Sequence, residues 1–184
     1  MKLEAVEAFI FWTYDPAAWI SRLIVRITGR QLPDKSDAWS HMGIGFKLLS
    51  GVDIYYEALF SEGFCGPKSF RKLLVFSETG GQLAVENIEC IGESEVQQVW
   101  ENCEALIGKR GYYAWQLFSM WAFERFGRFV GAHVPRSPGR VVCSEIVARL
   151  LYPYIDLRDE ERAFDEVNPN SAWRKWKQIK KQGH

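Results

Sequence analysis

The sequence predicts a single α+β domain, on three observations. Short apolar runs separated by glycine turns fill the first half of the chain, and helical periodicity dominates after residue 94. No internal repeat or low-complexity linker interrupts the 184 residues, a length that suits one core with a short tail over about residues 170–184.

In chain order, Ala5–Trp12 is a compact apolar run read as a strand. Asp15-Pro16 supplies an N-cap followed by proline at the first helical position, so a helix is predicted from Pro16 to about Thr28, ending at Gly29. After the polar stretch Arg30–Asp37, glycines alternate with apolar residues over Ala38–Leu48, a strand pattern. Gly51 and Asp53 mark a turn into a partner strand, Ile54–Phe60. Ser61–Ser69 reads as a loop because it holds Gly63, Gly66 and Pro67. Leu73–Phe76 and Gln82–Ile88 read as two short strands about the Gly80-Gly81 turn.

The helical half opens with Ser94 and Gln97 in capping-box spacing, and Val96, Val99, Trp100, Cys103, Leu106 and Ile107 form one apolar face ending at Gly108. Tyr113–Phe126, apolar nearly all round, predicts a buried helix, and Gly127–Gly139 a loop. Val141–Tyr152 is a short helix entered near Cys143 and stopped by Pro153. The last helix is predicted from Asn170, taken as its cap, to Lys181, with a Trp173/Trp176 face opposite several lysines. That Trp/Lys face admits two readings: docking onto the domain, the simpler one, or contact with an anionic membrane surface.

Composition narrows the functional classes. Twenty-three basic residues balance 23 acidic ones, so the basic excess that phosphate binding requires is missing and no nucleic-acid partner is expected. At 47% hydrophobic and 25% charged residues, the chain has enough apolar material to fold and is not a disordered one. Eight Trp, seven Tyr and twelve Phe supply a rigid core with ring surface left over to line a groove. The four cysteines contain no Cys-x-x-Cys pair and only three histidines accompany them, so a structural metal site is not expected. A disulfide framework is not expected either. Glu4 and Glu7 break any secretory signal, and Arg22 and Arg26 interrupt the apolar stretch Ala17–Ile27. The expected compartment is a reducing cytoplasm, with all thiols free.

The informative thiol is Cys143. It opens an apolar helix, where unpaired backbone N–H groups and the positive end of the helix dipole favour a nucleophilic thiolate. Standing alone, such a residue is more often a buried core cysteine. It does not stand alone. His41 lies in a glycine-alternating strand, Trp39-Ser40-His41-Met42-Gly43-Ile44-Gly45, and sixteen residues on Glu57 lies in the next strand, within cross-strand reach. An imidazole that acts as a base needs a group on its second nitrogen to hold tautomer and orientation, and Glu57 fits that task.

Five segments in this order resemble one family: Ser40–Ile44, Tyr56-Glu57-Ala58, Leu106–Lys109 with Tyr112-Tyr113, Val142–Val147, and Asp165–Pro169. Their succession, over roughly Phe11 to Trp173, resembles the circularly permuted branch of the NlpC-type, papain-like cysteine hydrolases, the YiiX-like group. In that branch the histidine strand precedes the cysteine helix. The resemblance implies a small antiparallel sheet packed against helices, with Cys143 as nucleophile, His41 as general base and Glu57 as its orienting partner. It implies oxyanion support from Tyr113 or Tyr112, a closing segment at Asn168-Pro169 that points back toward the cleft, and no metal or organic cofactor. The implied activity is that of a bacterial-type thiol peptidase or amidase on small peptides, cell-wall fragments or N-acyl amino acids. A thioester-forming lipid hydrolase or acyltransferase is the rival within the class, and a non-catalytic ligand-binding module is the rival outside it.

Other residues carry weaker signals. Arg136 and Arg140, in the loop before Cys143, could read a substrate carboxylate, although a solvated loop is the plainer reading. His133 reads as a solvated loop histidine and His184 as terminal. Cys65 could rim the cleft but reads better as a spare exposed thiol, while Cys90 and Cys103 read as packing residues. Ser144 and Glu145 suit the first turn of a helix.

Overall fold

A computed structural model describes residues 4–28, 37–59, 62–108, 143–158, 164 and 167–183. Among them the elements run β1 (Ala5–Tyr14), α1 (Trp19–Thr28), β2 (His41–Leu48), β3 (Asp53–Leu59), β4 (Gly63–Ser69), α2 (Arg71–Glu78), β5 (Gln82–Asn87), α3 (Glu93–Leu106), α4 (Cys143–Leu151) and α5 (Pro169–Lys181). The strands form one antiparallel sheet in the order β4-β3-β2-β1-β5, so the α+β class holds. Among the described residues no helix is long and apolar enough to cross a membrane.

Strand alternation sorts the side chains onto two faces. Ile10, Trp12, Met42, Ile44, Phe46 and Tyr56 occupy one face and pack with Val96 and Val99 of α3, Ile146 and Val147 of α4, and Trp173 and Trp176 of α5. This is the main core. Phe9, Phe11 and Tyr55 occupy the other face, against Leu73 of α2. By the same alternation His41 and Glu57 belong to this second face. Gly43 belongs there too: a Cβ at that position would come within 2.3 Å of the Phe11 ring, so only glycine lets the ring cross β2 beside His41.

Several expectations are corrected. The segment read as a loop is the edge strand β4, because an edge tolerates proline and a bulge absorbs the irregular register. Tyr55 pairs with Lys68 and Glu57 with Cys65, which leaves one extra residue on the β4 side. Gly66 sits in that bulge with φ +150°, and a Cβ there would lie only 2.5 Å from the Tyr56 ring. The run Leu73–Phe76 is helical: α2 turns Leu73 and Phe76 inward at an i, i+3 spacing that a four-residue run cannot distinguish from a strand.

The predicted capping box at Ser94 does not form. Gly92 is the N-cap of α3 with no side-chain bond, Glu93 and Glu95 supply the first-turn charge, and Gln97 instead accepts a hydrogen bond from the Ala5 N–H at 3.2 Å. At α5 the cap is Asn168 rather than Asn170. Its side chain accepts from the N–H groups of Asn170 and Ser171, the Ser171 hydroxyl accepts from the Asn168 N–H, and Pro169 takes the first helical position. Asn170 is buried and ties three elements together. Its Oδ1 accepts from the Trp39 N–H and its Nδ2 donates to the Thr28 hydroxyl, both at 2.6 Å.

α1 starts at Trp19 rather than Pro16 and β2 at His41 rather than Ala38, and the remaining predicted elements follow the pattern or lie outside the described residues. Asp15 caps the approach to α1 by accepting from the N–H groups of Ala17 and Ala18. Trp173 and Trp176 are buried, Trp173 edge-on to Trp12 and Trp39, while Lys177 and Lys180 pair with Glu86. The tryptophan face of α5 is therefore docked on the domain. Cys103 is buried as expected, but Cys90 is exposed and Cys65 is half-buried, both contrary to the reading from sequence. The predicted helix 113–126 and loop 127–139 lie outside the described residues.

Candidate active site

His41 is the first residue of β2 and Cys143 the first of α4, and α4 packs across β2 and β3. The imidazole and thiol therefore meet where a strand and a helix both begin. The chain leading into β2 is pinned from three sides. The Trp39 N–H is held by Asn170, the Ser40 N–H and hydroxyl both donate to the Thr13 carbonyl, and the Ser40 hydroxyl also bonds to that of Ser21. Ser144, just after the cysteine, donates to the Val167 carbonyl at 2.6 Å, so the closing segment anchors the first turn of α4. Glu145 pairs with Arg149 at 2.9 Å along that helix.

Glu57 faces Gly43 across the β2–β3 ladder, which makes it the diagonal neighbour of His41. Its Oε2 lies 2.9 Å from His41 Nε2, and its Oε1 accepts from Lys68 Nζ at 3.0 Å. With Nε2 engaged by Glu57, Nδ1 is the ring nitrogen left to face the sulfur. Burial disfavours charge on the His41 ring. The negative charge and hydrogen bond of Cys143 outweigh this, together with those of Glu57, and raise the imidazole from its ordinary 6.5 to about 10. Burial likewise opposes ionisation of Glu57, but His41 and then Lys68 hold that carboxyl down at about 2. The result is an imidazolium held between the Glu57 carboxylate and the Cys143 side chain.

A cleft of about 380 Å³ opens on the His41 face of the sheet. Ala18 with Ile20 and Ile24 of α1 form one wall, Leu73 and Phe76 of α2 the other, and His41, Tyr55 and Glu57 the floor. Asp15 and Lys72 add one charge of each sign. Cys143 is only 1% exposed and does not itself line this cleft; the cleft reaches the ring that holds the sulfur.

Of the residues predicted for the site, the structure brings together Cys143, His41 and Glu57. Tyr112, Tyr113, Arg136 and Arg140 lie outside the described residues, as does His133. Two residues were not foreseen. Lys68 sat in a segment read as loop, and regular strand alternation would put residues 65 and 68 on opposite faces, so only the bulge at Gly66 reveals its place. Tyr55, edge-on to Phe11 at 5.2 Å, is a cleft phenol that burial and then Glu57 push up to about 12, which keeps it a hydroxyl donor. Cys65 donates to the Glu57 carbonyl at 3.5 Å, and burial raises its thiol. Among the described residues no group of three or more His, Cys, Asp or Glu side chains is arranged to hold a metal ion.

No protein-family model matches this chain, and comparison with curated proteins and with solved structures found no match.

Proposed function

We infer that the chain is a cysteine hydrolase of permuted papain-like type, cleaving amide bonds through Cys143, His41 and Glu57. The observation that carries the reading is the His41 ring, held by Glu57 at 2.9 Å through Nε2 and in hydrogen-bonding contact with Cys143. The chain order of histidine strand before cysteine helix supports the permuted topology.

The chemistry follows from the charges. The Cys143 thiolate attacks a carbonyl carbon, and the carbonyl oxygen becomes an oxyanion that backbone N–H groups in the first turn of α4 would bind; one such donor is worth about 3 kcal/mol of barrier. The His41 imidazolium gives its proton to the departing amine as the C–N bond breaks, leaving a thioester on the sulfur. The neutral imidazole then takes a proton from water, whose oxygen attacks the thioester, and the sulfur leaves as thiolate beside a renewed imidazolium. Glu57 remains a carboxylate throughout and holds the ring in place. Candidate substrates are small peptides, cell-wall fragments and N-acyl amino acids.

One observation favours a second reading within the class. The apolar walls from α1 and α2 beside His41 suit an aliphatic acyl group, which points to an acyl thioester handed to water or to another acceptor.

A thiol-directed alkylating probe tests the central claim. Cys143 should label at least 100-fold faster than Cys65, Cys90 or Cys103, and His41→Ala should abolish that preference. Equal labelling of all four thiols would overturn the hydrolase and leave a ligand-binding module. Intact mass spectrometry with N-acyl amino acids against dipeptides would then separate the two substrate readings by which of them adds to Cys143.

A further inference from the structure

We propose that Lys68 is a positioning residue of the site, clamping the Glu57 carboxylate so that its other oxygen stays aimed at His41. This rests on the cysteine hydrolase reading for its consequence in activity, but the clamp itself is a matter of geometry. The Lys68 ammonium lies 3.0 Å from Glu57 Oε1 while His41 Nε2 lies 2.9 Å from Oε2, so each carboxylate oxygen has its own cation. Both side chains are largely shielded, Lys68 at 19% and Glu57 at 11% exposure, so the pair is weakly screened compared with a surface ion pair.

The backbone is shaped for this contact. The β4 bulge at Gly66 sets Cys65 opposite Glu57 and Lys68 opposite Tyr55, all on the His41 face of the sheet. Bulges beside functional sites commonly re-aim a side chain, and here the side chain re-aimed is the lysine. The groups facing Lys68 are Glu57 and Tyr55 from β3, Glu62 at 3.5 Å from the turn before β4, and Cys65 from its own strand. Glu62 is 56% exposed and can retreat into water, whereas Glu57 cannot.

The consequence is electrostatic. A carboxylate with one cationic partner removed has its pKa rise, by about 1 unit or more for a close opposite charge. As Glu57 takes up a proton it stops holding the imidazolium, and the imidazolium–thiolate pair fails at a higher pH. Lys68→Met keeps the aliphatic stem and removes the charge, Lys68→Gln keeps a hydrogen-bond donor without charge, and Lys68→Arg keeps the charge.

The test has two readouts on the full chain. The first is the pH profile of Cys143 alkylation by iodoacetamide. Its acidic limb should move up by about 1 pH unit in the Met and Gln variants and stay within about 0.3 unit of wild type in the Arg variant. The second is the Glu57 side-chain carboxyl resonance, titrated by carbon NMR and assigned with Glu57→Gln, which reads the clamp whether or not the thiol reacts. An upward shift of that titration in the uncharged variants, reversed in Lys68→Arg, supports the proposal. Superimposable Glu57 titrations, or a loss of alkylation rate equal at every pH, would overturn it. A wild-type Cys143 whose alkylation ignores His41 would instead defeat the hydrolase reading, and the carbon titration would still decide the clamp.

Discussion

His41 and Glu57 form a buried pair whose protonation must register in the stability of the fold. Glu57 has a folded pKa near 2, below its ordinary 4.5, so its contribution is complete above about pH 4.5 and is lost as pH falls toward 2. His41 is shifted the other way, from 6.5 to about 10, so its contribution is complete below 6.5 and is lost as pH rises through 10. Both are at full strength between those bounds. Thermal unfolding should therefore show a plateau from about pH 4.5 to 6.5 with losses on each side, and His41→Ala should flatten the alkaline slope. An unchanged slope in that variant would refute the assignment. The three residues were legible from types and order: a thiol at a helix start, a histidine within a strand and a carboxylate one strand over. Lys68 was not, because its role depends on a bulge that brings its strand into register with β3.

Helices and strands show where local signals suffice and where they are overridden. The helix that holds Cys143 and the strand that holds His41 follow from periodicity, and both are observed, the strand from His41 rather than Ala38. Gly63–Ser69 and Arg71–Glu78 do not, since Pro67 can sit in a strand only at an edge and a four-residue apolar run suits either structure. At α5 the cap was misplaced by two residues, because Asn168 and Asn170 are both good capping residues and only the fold chooses between them. Their different tasks predict different costs. Asn168→Ala should destabilise by about 1 kcal/mol through the lost cap. Asn170→Ala removes the acceptor of the buried Trp39 N–H as well as the bond to Thr28, and should cost about 2–4 kcal/mol. Urea midpoints measure both, and equal shifts would contradict the asymmetry. Because Asn170 holds the residue two before His41, its variant should also slow Cys143 alkylation, which the cap variant should not.

Across the whole molecule, the main core joins the sheet to the helix that carries Cys143. Trp173 of α5 packs edge-on to Trp12 of β1 at 4.9 Å and to Trp39 at 5.4 Å, so the last helix buttresses both the inner strand β1 and the approach to His41. Trp173→Ala should cost about 3–5 kcal/mol, measured by denaturant unfolding, and should loosen the site along with the fold. A loss below 1 kcal/mol would mean that α5 is an accessory. Composition and periodicity by themselves determined the α+β class, the apolar faces of α1, α3 and α4, and the residue types able to make a thiolate–imidazolium pair. These follow from local spacing, since a face of a helix or strand is set by residues within a few positions of one another. Only the tertiary structure decided that Cys143 meets His41, that α5 docks its tryptophans, and that Lys68 completes the surroundings of Glu57. Contacts between residues far apart in the chain depend on register and strand order, and sequence spacing alone does not encode these.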